Sequence, residues 1–137
     1  MGRGMSPEDV AALVAWPEAN ICSDGALVSR HPRGAGTFTK VLRVYVREQK
    51  LLTLEEAIHK MTGLAADHMG FKDRGLVKAG DFADLVLFDP AQVADRSTTL
   101  DPGAISTGIS KVWVNGVVVV NEGAATGAHP GQVVRRQ

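Results

Sequence analysis

The sequence has almost no cysteine: Cys22 stands alone among 137 residues. An intrachain disulfide is therefore impossible, and a reducing, cytoplasmic setting is expected. Neither charge is in excess, with 15 Lys and Arg against 15 Asp and Glu. That balance removes the electrostatic case for nucleic acid or an anionic membrane as partner. Long apolar runs are also missing. The longest, residues 117–120, is far shorter than the roughly 20 residues that cross a bilayer. No apolar segment follows the first charged residues, so no secretory signal is expected. Phosphate-binding glycine loops and the His-Glu-x-x-His helix are absent, and no two of the four histidines are spaced as a metal pair. What remains is an ordinary globular composition, 45% hydrophobic and 22% charged, in a chain long enough to bury a real core.

The first half reads as helical. Ser6-Pro7-Glu8-Asp9 places a hydroxyl cap before a proline at the first helical position, with acids at the positive end of the dipole. Val10, Leu13 and Val14 share one face, and Pro17 ends the helix. Asn20-Ile21-Cys22-Ser23 is a candidate strand running into the turn signal Asp24-Gly25. Residues 26–36, with Pro32, Gly34 and Gly36, read as a loop. Phe38, Val41, Leu42, Tyr45 and Val46 then form an apolar helical stripe. Thr53 and Glu56 predict a capping box, with Leu52 stapled onto Ala57. Leu54, Ala57, Ile58 and Met61 make the buried face of that helix, and residues 64–69 a short last one stopped by Gly70.

The second half reads as β-rich. A turn at Lys78-Ala79-Gly80-Asp81 precedes residues 83–89, apolar on both faces. Such a strand is expected to be central and covered on both sides. Pro90 stops it, and residues 94–108 form a polar loop. Asn115-Gly116 between two β-branched runs predicts a two-residue type I′ hairpin.

Read without context, the candidate chemistry is sparse. Asp24 followed by glycine is ordinarily a turn residue. Cys22 has no adjacent base, which favours a small core residue over a nucleophile. His59 falls on the polar side of its helix, and His68 and His129 sit near turns. His31, in His31-Pro32-Arg33, is the histidine nearest in sequence to the Asp24 carboxylate.

A series of motifs adds to this. Cys22-Ser23-Asp24-Gly25, His31-Pro32-Arg33 and Gly36-Thr37-Phe38 come first, followed by Tyr45-Val46-Arg47-Glu48 and Lys60-Met61-Thr62-Gly63-Leu64. Asp73-Arg74-Gly75-Leu76, Ala83-Asp84-Leu85-Val86-Leu87-Phe88-Asp89-Pro90 and Val112-Trp113-Val114-Asn115-Gly116 complete it. In that order they resemble the C-terminal part of the N-acyl-D-amino-acid deacylases (D-aminoacylases) of the amidohydrolase superfamily. The resemblance implies an α/β fold: the C-terminal end of a (β/α)8 barrel in residues 1–70, then part of a small β-domain in residues 71–137. It places residues 20–23 at the last barrel strand and Asp24 at that strand's C-terminal end, where such barrels carry their catalytic groups.

The activity implied is zinc-dependent hydrolysis of the amide bond of N-acyl-D-amino acids. Asp24 would be both metal ligand and proton-shuttling base, with His31 and Arg33 lining the mouth of the substrate site. Cys22 occupies a place where relatives commonly have a small residue, and Ala65 one where they often have proline. A whole barrel takes roughly 250 residues. The remaining metal ligands would therefore lie on earlier strands, and the chain alone is expected to be inactive and to hold no zinc tightly. Its expected partner is the missing N-terminal barrel segment, or a further copy of itself. The rival reading is a non-catalytic β-rich association module.

Overall fold

The computed structural model describes residues 4–25 and 31–136. Residues 26–30, the first part of the expected loop, lie outside the described residues.

Helix α1, Pro7–Ala15, starts where the sequence places it. Ser6 Oγ accepts the Asp9 N–H at 3.1 Å, with Pro7 in the first helical position. Its apolar face finds little cover, and none of its residues is buried. Residues 20–23, expected as a strand, instead take no regular secondary structure and have no sheet partner among the described residues. A barrel strand is stabilised by hydrogen-bonded neighbours, and none flanks it here. The Ile21 N–H bonds to the Lys60 carbonyl instead, at 3.1 Å.

The expected loop is shorter than the reading had it. Helix α2, Arg33–Lys40, begins immediately after Pro32, whose fixed φ of −52° is already helical. Helical backbone continues without a break as a π-helix, Val41–Glu48. Phe38, on α2, is half exposed, while Val41 and Leu42 at the start of the π-helix are buried, so the apolar stripe keeps its centre and loses one end. Helix α3, Leu54–Met61, carries the full capping box: Thr53 N donates to Glu56 Oε2 at 2.7 Å, and Glu56 N donates to Thr53 Oγ1 at 3.2 Å. Helix α4, Gly63–Met69, ends at Gly70.

Four antiparallel strands follow in sequential order: β1 Leu85–Phe88, β2 Ile109–Val114, β3 Val117–Asn121 and β4 Ala124–Ala125. Asn115 and Gly116 both take positive φ, 48° and 80°, as a type I′ turn demands. A second tight turn, Glu122-Gly123, adds β4; the sequence reading did not foresee it. β1 corrects another expectation. It forms an edge of the sheet, not its centre, and Val86 and Leu87 are 54% and 53% exposed. Val86 borders an open apolar groove instead of meeting a packed layer.

The buried cluster consists of Val41, Leu42, Leu52, Ala57 and Val93, with Phe88 and Ile109 packed against it. Helical and strand halves therefore share one core. Leu52 and Ala57, the expected staple, both belong to it. The groove, of about 1010 Å³, is lined by Phe38, Leu54, Ile58, Leu76, Val86 and Ile105 among others. Among the described residues no helix is long and apolar enough to cross a membrane.

Candidate functional site

Asp24 stands at a sharp bend, with φ 48°. The bend is possible because glycine follows. A Cβ on Gly25 would lie 2.8 Å from the Cα of Gly34, so the turn backbone rests directly on the first turn of α2. That approach brings Asp24 to Arg33, whose Nη2 lies 2.8 Å from Asp24 Oδ2. The Asp24 side chain is nevertheless 73% exposed, so its carboxylate faces outward.

Arg33 also opens onto a small cleft of about 170 Å³, lined by His31, Arg33, Thr37, Lys40, Asp95 and Ser97 among others. His31 Nδ1 accepts the Arg33 N–H at 3.2 Å. The three expected site residues thus come together: Asp24 pairs with Arg33, and Arg33 shares the cleft with His31. Asp24 itself does not line that cleft and reaches it through Arg33.

The far wall of the cleft comes from the loop after β1, which the sequence reading treated as plain polar connection. Ser97 Oγ donates to the Pro32 carbonyl at 2.8 Å, and Thr39 Oγ1 and Ser106 Oγ lie 2.7 Å apart. Arg43 Nε donates to Asp95 Oδ1 at 2.6 Å and Arg43 Nη1 to Glu48 Oε1 at 2.8 Å. Burial pushes the Asp95 carboxyl up, but the Arg43 hydrogen bond and charge outweigh it and hold the group below its ordinary range. The Arg43 guanidinium is raised above its ordinary value, first by the Asp95 hydrogen bond and then by Glu48. Loop and helix are locked together by these contacts, and the backbone of His31-Pro32-Arg33 is fixed with them.

Lys60, the first residue of the Lys60-Met61-Thr62-Gly63-Leu64 motif, has no role that the sequence alone assigns. It is 4% exposed, and its ammonium donates to the carbonyls of Trp16, Pro17 and Ala19. The signal available was its place three residues after Ala57, beside the apolar face of α3.

A zinc site needs several ligands converging on one point. Among the described residues no group of three or more His, Cys, Asp or Glu is so arranged. Asp24 is a single exposed carboxylate already paired with Arg33, and Cys22 beside it is exposed. These residues do not make a zinc site by themselves.

The model of the amidohydrolase family matches residues 19–120. The N-acyl-D-aspartate deacylase of Alcaligenes xylosoxydans xylosoxydans is 53% identical over 133 residues, which are 95% of this chain and 26% of the relative. A solved D-aminoacylase is 45% identical and superposes with a TM-score of 0.92 over 96% of this chain and 28% of that one. The N-acyl-D-glutamate deacylase of Bordetella bronchiseptica, solved with zinc and a phosphonate mimic of the tetrahedral intermediate, is also 45% identical, with a TM-score of 0.88. This chain spans about a quarter of the length of the relatives it matches.

Proposed function

We propose, from the premise that this chain belongs to the amidohydrolase family, that it is the part of an N-acyl-D-amino-acid deacylase that supplies the catalytic aspartate. The observation that carries the reading is Asp24. It is an outward-facing carboxylate at a strained bend, held beside Arg33, in a chain that superposes closely on D-aminoacylase. Residues 1–70 belong to the end of the barrel on this reading, and residues 71–137 to the small β-domain.

The reaction adds water to the amide and releases a carboxylate and a free D-amino acid. An Asp24 Oδ atom accepts a proton from the attacking water and returns it to the leaving nitrogen. Asp24 pairs with Arg33 in the present structure, which holds the carboxylate at the edge of the cleft that His31 and Arg33 line. His31 and Arg33 line the mouth of the site, where a guanidinium fork suits the substrate's carboxylate. The relative solved with zinc supports zinc as the metal of the intact enzyme, with Asp24 as this chain's contribution to its ligands. The groove lined by Phe38, Leu76 and Val86 is where the rest of the enzyme packs. The single cysteine fits a cytoplasmic setting.

The test is a chimaera in which this chain replaces the matching stretch of the solved D-aminoacylase, assayed by release of amine from N-acetyl-D-amino acids. Turnover is expected, and Asp24→Asn should lower kcat by about 10²–10⁴-fold while the protein stays folded. A variant with near-normal turnover would show that Asp24 is only a turn residue.

A further inference from the structure

Lysine on a short helix normally lays its stem along the surface and keeps its ammonium in water. Lys60 does the opposite. Its side chain turns into the junction between α3 and the segment after α1, at 4% exposure. Nζ donates to the carbonyls of Trp16, of Pro17 at 3.3 Å and of Ala19 at 3.0 Å. Three donors thus meet three main-chain acceptors, which satisfies a cation that would otherwise be costly to bury. Packing does not require this arrangement, since an apolar side chain of similar volume fills such a space without desolvating a charge.

What the ammonium does is draw three carbonyls of one irregular segment around a single point. That segment leads directly to Asp24. The Ile21 N–H is tied to the Lys60 carbonyl at 3.1 Å, and the Ile21 side chain packs against the core. Asn20 Oδ1 lies 3.3 Å from His68 Nδ1 on α4. Among the described residues, 20–23 pair with no strand, and the hydrogen bonds that hold them come from Lys60 on α3 and His68 on α4. On the far side of the bend, Gly25 rests on Gly34.

We propose that Lys60 is a positioning residue for Asp24: by gathering the carbonyls of Trp16, Pro17 and Ala19 it sets the path of residues 16–21 and so the place of the Asp24 carboxylate. This rests on the reading of Asp24 as the catalytic base.

The experiment uses the same chimaera. Lys60→Met is expected to lower kcat by about 10- to 100-fold, the scale of a displacement of about 1 Å at a reacting group, with KM nearly unchanged. Lys60→Arg, which keeps a cation and its donors, should recover most of the lost kcat. In an Asp24→Asn background, Lys60→Met should cost nothing further, because the residue it positions no longer acts. If circular dichroism shows Lys60→Met to be unfolded, Lys60→Gln enters the same cycle. Full kcat in the Lys60 variants, or an equal loss with and without the Asp24 carboxylate, overturns the proposal. Asp24→Asn with normal turnover overturns the underlying reading and this proposal together. An inactive Asp24→Asn beside fully active Lys60 variants overturns only the role of Lys60.

Discussion

Arg43 on the π-helix holds Asp95, from the loop after β1, at 2.6 Å, and with that contact the helical half grips the strand half. Asp95 is held below its ordinary pKa because the Arg43 hydrogen bond and charge outweigh the effect of its burial. A carboxyl depressed in the folded state contributes stability that is present above its unfolded pKa. That stability is lost as pH falls through the lower, folded value. Unfolding followed against pH should therefore show stability declining below the ordinary carboxylate range, and Asp95→Asn should flatten part of that decline. At neutral pH the variant should lose about 1.5–3 kcal/mol, the scale of a hydrogen bond to a charged group. An unchanged acid limb would mean that the pair contributes nothing to folding.

Asp24 is one carboxylate, and zinc held by protein is bound by several ligands. The chain by itself should hold no stoichiometric zinc after dialysis and hydrolyse no N-acetyl-D-amino acid. Elemental analysis finding one tightly held zinc per chain, with turnover abolished by Asp24→Ala, would contradict this.

β1 lies at the sheet edge with Val86 and Leu87 over half exposed, and the groove beside it is apolar. Exposed strand edges pair with other chains. Sedimentation of the isolated chain at micromolar concentration should accordingly show self-association. A monodisperse monomer with one sharp thermal transition would mean that the chain closes its own core, and would favour the reading as an independent module.

The hairpin turn is held at its tip. Arg74 Nη2 donates to Asn115 Oδ1 at 2.7 Å, Asn115 Nδ2 donates to the Pro130 carbonyl at 2.7 Å, and Asn115 N donates to Asp84 Oδ1 at 2.8 Å. Arg74 also pairs with Asp84 and stacks 4.2 Å over the Phe82 ring. Asn115→Ala removes both side-chain bonds and puts a poorer residue at positive φ. A loss of about 1–3 kcal/mol in urea unfolding is expected. Asn115→Gly, which relieves the backbone but not the lost bonds, should recover only part of it.

Much of this was legible because it is local. Ser6, Thr53 with Glu56, and Asn115-Gly116 act within three or four residues of themselves, and the backbone follows them. Gly70 ended its helix for the same reason. The readings that went wrong depended on what lies across space. Residues 20–23 look like a strand but pair with none among the described residues, and residues 83–89 look central but form a sheet edge covered on one side only, through Phe88. The α2 start at Arg33 was hidden by Gly34 and Gly36, whose poor helix propensity is offset by the segments that pack on them, Gly25 on Gly34 and the loop after β1 on Gly36. In the candidate site, Asp24, His31 and Arg33 could be picked out by their motif. Asp95, Ser97 and Lys60 could not be assigned places around them, since each arrives from more than 25 residues away and no periodicity marks such an encounter.

Val93 is the most enclosed large side chain described, at 1% exposure, and the residues clustered with it are Val41, Leu42, Leu52 and Ala57. It comes from the strand half and they come from the helical half. A cut near residue 70 would separate the plug from its socket, leaving a hole in one piece and a bare valine on the other. The amide hydrogens around Val41 and Val93 should thus exchange together, in the isolated chain or in a larger assembly. Any dissection of the chain has to keep both on polypeptides that still meet.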